Sequence, residues 1–222
     1  SLPEQELTQG VVRIVVVESV VGTVRVSGNQ HFSAANIRDS LPRIREGTSP
    51  NSLRISENVQ AANENPAKKV DAVMHMGERD GTVDLDLKVD DTPPGRFFVN
   101  ADNTGNARTG KTRLGLSYQH ANLFDRDHVG TIGYTTSPER HDRVDIYSAS
   151  YRIPLYALGD SIDLIYGQST VSAGSSATTA GPLQFAGSGK VYSLRYNNLQ
   201  PRSGEYSHRF VFGFDQKEFD NA

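Results

Sequence analysis

The stretch Gly105-Asn-Ala-Arg-Thr-Gly110-Lys111-Thr112 has two glycines separated by four residues and then Lys-Thr, the literal spacing of a phosphate-cradling loop. Such a loop holds phosphate because a helix begins behind it and aims its free N–H groups at the anion. Here Thr112 is followed by Arg-Leu-Gly-Leu-Ser-Tyr-Gln, whose period of two is that of a strand. The segment is therefore expected to be a turn between two strands, binding no nucleotide. His31, His75, His120, His128, His141 and His208 are scattered, with no HExxH pair and, in a chain without cysteine, no thiolate to complete a metal site. The acidic pairs Asp90-Asp91 and Asp125/Asp127 lack the frame of a calcium loop and are expected to be solvated turns. No catalytic constellation, cofactor or metal is expected, and the chain does not read as an enzyme.

Composition narrows the class further. The net charge is −3, and neither residues 1–92 (10 basic, 14 acidic) nor residues 93–222 (13 basic, 12 acidic) form a basic nucleic-acid surface. No apolar run reaches the roughly 18 to 20 residues of a membrane-spanning helix. Barrel strands need only about 9 to 11 residues and are half polar, so a membrane barrel stays open. The absence of cysteine excludes a disulfide scaffold and is compatible with the periplasm.

The grammar of the sequence changes at Thr92-Pro-Pro-Gly-Arg96. Before it, Gly10–Glu18 and Val20–Ser27 are β-branched runs, the second ended by Gly28-Asn29. Ser33 is a good N-cap for a helix to about Leu41, stopped by Pro42. A second helix is expected from Ser52 to Asn65, with Leu53, Ile55, Val59 and Ala62 on its apolar side and Pro66 as its break. Strands over Lys69–Met76 and Thr82–Asp90 follow. In the latter, Val83, Leu85, Leu87 and Val89 should face the helices, and Thr82, Asp84, Asp86 and Lys88 should face water. The order is strand, helix, helix, strand, strand: a one-sided sheet covered by two helices.

Beyond Pro94 seven strands are expected, centred near Phe98, Leu116, Ile132, Ala149, Leu164, Leu194 and Phe212. One face carries residues such as Leu114, Leu116, Tyr118, Tyr192, Leu194 and Tyr196. The other carries Arg, Asp, Ser, Gln and Gly. A soluble sandwich buries its apolar face, whereas an outer-membrane barrel turns it to lipid around a wet lumen, with tyrosines near the interfaces. The Gly/Ser-rich stretch from Ser172 to Gly189 is long enough for an extracellular loop.

These residues together resemble the two-partner secretion transporters, the TpsB family of ShlB/FhaC/HecB type. Leu2–Glu18 looks like the last strand of a first POTRA domain, so that residues 1–19 would end that domain and residues 20–92 would form the next. Val21-Gly-Thr-Val-Arg-Val-Ser-Gly-Asn29 with Phe32-Ser33 looks like the opening of that second POTRA, and Asn63-Glu-Asn-Pro66 with Val83–Val89 like its other half. Asp102-Asn-Thr-Gly105, Thr109-Gly110 and Asn122-Leu-Phe124 look like the first barrel hairpin.

The resemblance implies an α+β POTRA domain of βααββ order. Residues 93–222 would then be an antiparallel all-β meander, the N-terminal part of a 16-stranded transmembrane β-barrel. The family's Val-Arg-Gly-Tyr/Phe motif is absent, which fits a piece truncated at both ends. The implied activity is secretion of a large, unfolded partner exoprotein of haemolysin or adhesin type. The barrel would lie in the outer membrane, against its lipid, with the POTRA domain in the periplasm. A barrel-assembly factor, the barrel anchor of a fused surface hydrolase, and a soluble all-β binding protein remain alternatives.

Two sets of residues would carry that activity. An exposed edge strand near Lys69–Met76 could pair with an extended client, with Lys69, Asp71, Val73 and His75 and the helix residues Ser52 and Val59 as its client-binding surface. The plainer reading is a protected edge, guarded by Lys68, Lys69 and Asp71. Arg113, Gln119, Arg152, Asp163, Arg195, Arg209 and Asp215 would line the pore.

Overall fold

The computed structural model describes residues 18–171, 174–185, 188–200, 205–206 and 208–219. The expected strand Gly10–Glu18 therefore lies, apart from Glu18, outside the described residues.

Five elements build the first unit. β1 (Val20–Ser27) ends at Gly28, whose φ is 86° and where a Cβ would lie 2.3 Å from the Val89 carbonyl oxygen, so only glycine fits. α1 (Ala34–Asp39) starts at the expected cap, Ser33, whose hydroxyl accepts from Asn36 N–H. It stops short of Leu41, since the residue before Pro42 is disfavoured in the helical region. α2 (Ser52–Ala62) ends before Asn65: the chain tightens into i→i−3 bonds from Glu64 N–H to Ala61 O and Asn65 N–H to Ala62 O ahead of Pro66, which has no N–H to continue the helix. β2 (Lys68–Met76) and β3 (Thr82–Asp91) complete a sheet of order β1-β3-β2, with β1 parallel and β2 antiparallel to β3.

Ile37, Leu41, Ile55, Ala62, Leu85 and Leu87 form the centre of its core. Four side chains depart from the pattern read in the sequence. Asp84 is buried, not solvated: its carboxylate accepts Thr23 N–H at 2.8 Å, and Gly22 leaves it room. Leu53 is exposed, and Asn58 takes the inward place on α2, accepting Arg43 N–H at 2.9 Å. Lys68 does not guard the edge, since it is wholly buried.

The second unit is an antiparallel meander. It comprises β4 (Gly95–Asp102), β5 (Arg113–Leu123), β6 (His128–Thr136), β7 (Asp145–Leu155), β8 (Asp160–Ser169), β11 (Gly189–Leu199) and β12 (Arg209–Phe219), paired in the order β12-β11-β8-β7-β6-β5-β4. Each expected strand centre falls within one of them. The polarity of the sheet is reversed from that of a soluble protein. Leu116 is 53%, Ile132 61% and Phe212 64% exposed, whereas Arg113 and Asp163 on the opposite face are 4% and 0% exposed.

The stretch read as an extracellular loop joins β8 to β11 and contains a separate hairpin, β9 (Gly174–Thr178) paired with β10 (Gly181–Phe185). It folds back onto the polar face of β6 and β7, where Ser176 and Ser148 hydroxyl oxygens lie 2.8 Å apart. Among the described residues no helix is long and apolar enough to cross a membrane, which says nothing of a barrel.

Candidate functional site

Among the described residues, the two edges of the three-stranded sheet are covered to different extents. Along β1, Val21 N–H donates to Thr48 O at 2.8 Å, Gly47 N–H donates to Val21 O at 2.7 Å, and Val24 N–H reaches Glu46 Oε1 at 3.1 Å. Arg38 donates to Val24 O at 3.0 Å. The chain itself thus takes up that edge at Val21 and Val24.

Backbone groups alternate in direction along the other edge strand, β2. Gly77 N–H donates to Thr82 O and Thr92 N–H to Ala67 O, so in the register Lys69↔Asp90 to His75↔Asp84 the odd-numbered residues bond to β3. Lys69, Asp71, Val73 and His75 thus spend their N–H and C=O groups inside the sheet, which corrects their expected part in edge pairing. The outward groups belong to Val70, Ala72 and Met74. Asn63 closes the first of these: its Oδ1 accepts Val70 N–H at 2.7 Å and its Nδ2 donates to Val70 O at 3.0 Å. Its carboxamide imitates a neighbouring strand at that one position, and among the described residues nothing pairs with the edge beyond it.

The expected client-binding residues do not converge. The side chains of Lys69, Asp71, Val73 and His75 are exposed on the outer face of the sheet, with His75 Nδ1 3.8 Å from Asp86 Oδ2. Ser52 and Val59 sit on α2 across the sheet, Ser52 exposed and Val59 packed against the core.

The helix-bearing side of this unit is docked on the turns of the meander. Lys68 extends from β2 into the turn between β5 and β6, where its Nζ donates to Asp127 Oδ2 at 2.5 Å and to Asn36 Oδ1 at 3.0 Å. Tyr156, in the turn after β7, donates its hydroxyl to the same Asp127 oxygen at 2.5 Å. The ammonium lies 5.3 Å from the Phe32 ring centroid and 5.9 Å from that of Tyr156, within cation–π range.

Burial pushes the Lys68 ammonium below its usual range despite the opposing pull of Asp127. Burial, with the Asp127 charge beside it, pushes the Tyr156 phenol well up. The turn pays in backbone strain for presenting Asp127, since Phe124, Asp125 and Asp127 have φ of 60°, 53° and 61°. Around this centre, Ser33 donates to Asp125 Oδ2 at 2.5 Å, Asn65 to Ala121 O at 2.7 Å and Arg43 to Ala157 O at 3.3 Å. Asp127, expected as a solvated turn residue, is instead buried in the dock, whereas Asp125 in the same turn is exposed as expected while accepting from Ser33.

Neither Lys68 nor Asp127 was singled out as a site by sequence reasoning, yet a signal existed. Lys68 has the same alternation parity as Val70 and Ala72, which puts it on the helix-covered face of β2.

On the meander, Arg152 and Asp163 form a two-point ion pair across β7 and β8 at 2.7 and 3.1 Å, and Asn197 donates to Asp163 at 2.7 Å. Arg195 meets Asp215 at 2.6 Å, Ser193 donates to Asp215 at 2.6 Å, and Gln119 donates to Thr131 at 3.2 Å. These five expected lining residues share the polar face. Two others do not stand in the open wall. Arg113 is folded into its own loop, donating to Gly110 O at 2.9 Å and Thr109 Oγ1 at 2.8 Å. Arg209 leaves the sheet's end to pair with Glu64 after α2.

The phosphate-loop look-alike is a strand connection, as expected. Gly105 N–H donates to Lys111 O at 3.0 Å, and the Glu139 carboxylate takes Lys111 N–H and, at 3.1 Å, the Thr112 hydroxyl. A carboxylate thus stands where an anion would have to bind. Among the described residues no group of three or more metal-ligating side chains exists.

Comparison with known proteins adds independent findings. The model of the haemolysin secretion/activation protein family ShlB/FhaC/HecB matches residues 81–222. The heme/hemopexin transporter protein HuxB of Haemophilus influenzae is 27% identical over 124 residues, 55% of this chain and 22% of that protein. The chain thus spans about a fifth of the length of the curated relatives it matches. Among solved structures, CdiB from Escherichia coli superposes with a TM-score of 0.71 at 20% identity, covering 97% of this chain and 41% of that one. CdiB from Acinetobacter baumannii superposes with a TM-score of 0.58 at 16% identity, covering 89% and 39%. At these identities the solved structures speak for the fold, and the family model, matched over more than half of the residues, speaks for descent. The chain belongs to the ShlB/FhaC/HecB haemolysin secretion/activation family, the two-partner secretion transporters, whose members are transporters and not enzymes.

Proposed function

We propose that this chain is the client-receiving and pore-forming part of a transporter that carries an unfolded partner exoprotein across the outer membrane. Residues 20–92 act as a POTRA domain in the periplasm. Residues 93–222 form part of the wall of a larger barrel, of sixteen strands in this family, whose lumen is lined by Gln119, Arg152, Asp163, Arg195 and Asp215. The observation that carries the reading is the reversed polarity of the seven-stranded sheet. An apolar face this large, left to water, would drive association, whereas acyl chains cover it at no cost. Both outer strands of the sheet also need partners, because hydrocarbon satisfies no backbone group.

The client is received as an added strand on β2. Ala72 and Met74 offer the unspent backbone groups, and main-chain pairing supplies affinity for an extended polypeptide of little fixed sequence. No nucleotide, cofactor or metal enters the step. The test is release of the partner exoprotein into the medium by cells making the full-length protein. Ala72→Pro should lower release several-fold while the protein still reaches the outer membrane. Undiminished release, or a full-length protein that fractionates as soluble, would refute the reading.

A further inference from the structure

The hairpin β9–β10 rests on a seat built for it. At the centre of the seat is Gly133 on the polar face of β6, where a Cβ would come within 2.8 Å of Ser148 Oγ and 2.9 Å of Ser176 Oγ. Beside it stand Ser148 and Ser150, small side chains on β7 between the larger Ile146 and Arg152. The Ser148 hydroxyl bonds both Ser176 Oγ at 2.8 Å and Ala177 O at 3.0 Å. Thr179, at the tip, donates its N–H to Ser150 Oγ at 2.8 Å and its hydroxyl to Asp163 Oδ1 at 3.3 Å.

The hairpin also has an apolar contact midway along it. Leu183, the cross-strand partner of Ser176, packs against the cluster of Val144, Ile146 and Val171, as does Val191. Ile146 and Val191 lie on a face that is otherwise polar and would be misplaced in a water-filled lumen.

The tip penetrates far along the sheet. Ser150 is five residues from the start of β7 at Asp145, about 17 Å at the usual strand rise. There Thr179 joins the Arg152–Asp163–Asn197 cluster. The hairpin therefore stands over the middle of the polar wall, and its tip contacts are hydrogen bonds that water or a passing backbone can replace.

We infer that β9–β10 is a resident obstruction of the lumen, and that the hairpin must lift off the Gly133–Ser148–Ser150 seat, its Leu183 contacts included, for a polypeptide to pass. The inference rests on the pore reading above. Displacement opens the bore without breaking the wall, since the hairpin is a separate two-stranded unit.

The absence of cysteine makes the test direct. In the full-length protein, freed of any cysteine outside this chain, Ser148→Cys with Ser176→Cys places two thiols where hydroxyls now lie 2.8 Å apart, close enough to form a bond of about 2.05 Å. Each single substitution is the control. Two readouts are taken: release of the partner exoprotein, and ion conductance of the purified protein in a planar bilayer. The oxidised double variant should export at least tenfold less than either single variant and recover on reduction. A variant lacking residues 174–185 should conduct several-fold more than the parent. Full export with the disulfide verified by mass spectrometry would overturn the inference, as would failure of the bond to form under oxidant. A protein that conducts no ions in any variant and exports nothing would overturn the pore reading itself.

Discussion

Lys68 and Asp127, 59 residues apart in the chain, meet at 2.5 Å with both side chains entirely out of solvent. One belongs to the edge strand of the helix-covered sheet and the other to the first turn on that side of the meander. A buried pair of this kind ties two units in one geometry, because separating them exposes or strands a charge. Removing one partner of such a pair typically costs about 3–5 kcal/mol, while replacing both is far cheaper. Lys68→Met and Asp127→Asn should therefore each lower the thermal stability of the detergent-solubilised protein by several kcal/mol, and the double variant by less than either. Additive losses in this cycle would show that the two side chains act independently.

The same pair predicts a pH dependence. Burial holds Lys68 below its ordinary value of 10.5, so between its lowered value and 10.5 the unfolded chain binds a proton that the folded protein lacks. Stability should rise with pH across that window. Tyr156 acts in the opposite sense above its ordinary 10.0, where the unfolded chain loses a proton that the folded protein keeps. Melting temperatures of the parent and Lys68→Met, followed from about pH 7 to 11, should show the rising limb in the parent alone. A rising limb of equal slope in both would contradict the assignment.

Backbone parity on β2 separates two prolines one residue apart. Ala72 N–H points off the sheet, so Ala72→Pro removes an outward donor and leaves the β3 ladder intact. Val73 N–H is committed to β3, so Val73→Pro should destabilise the domain by about 3 kcal/mol or more. Binding of the partner exoprotein should be weakened by Ala72→Pro in a protein whose melting is nearly unchanged. Loss of melting stability in both variants alike would refute the parity.

Asn63 makes a related prediction that needs no client. Asn63→Ala frees both Val70 backbone groups, so exchange of the Val70 amide should accelerate at least tenfold while that of Val73 stays slow. An unchanged Val70 rate would mean that the carboxamide does not close the edge.

Much of this molecule was legible from period alone. The alternation of Thr82–Val89 and of the seven later strands fixes which side chains share a face, and one-sided or reversed polarity follows from composition. Helix ends were less legible, since a last turn tightened into i→i−3 bonds, as at Glu64 and Asn65, leaves no mark in the residue types. Lys68, Asp84 and Asp127 escaped because a charged residue is assigned to water unless its counter-group is known, and those counter-groups lie 32 to 61 residues away. The hairpin β9–β10 was hidden in a Gly/Ser-rich stretch. Its trace was the misplaced apolar pair Ile146 and Val191 on the wet face.

The two faces of β11 predict opposite responses to charge. Leu194→Arg places a guanidinium on the apolar face, a cost of about 2–4 kcal/mol near a bilayer midplane. Arg195→Leu frees Asp215 on the polar face, where Ser193 still bonds it. Leu194→Arg should reduce the amount of protein assembled in outer membranes far more than Arg195→Leu, by immunoblot of membrane fractions. Equal yields would overturn the orientation.

The orientation of the sheet can also be read residue by residue. Single cysteines introduced at positions 192 to 197 of the full-length protein, labelled with a fluorophore in bilayers containing brominated acyl chains, report which side meets lipid. Quenching at 192, 194 and 196, alternating with protection at 193, 195 and 197, is the result predicted for a barrel wall. Quenching that is uniform or absent, or that falls on the odd positions, would contradict it.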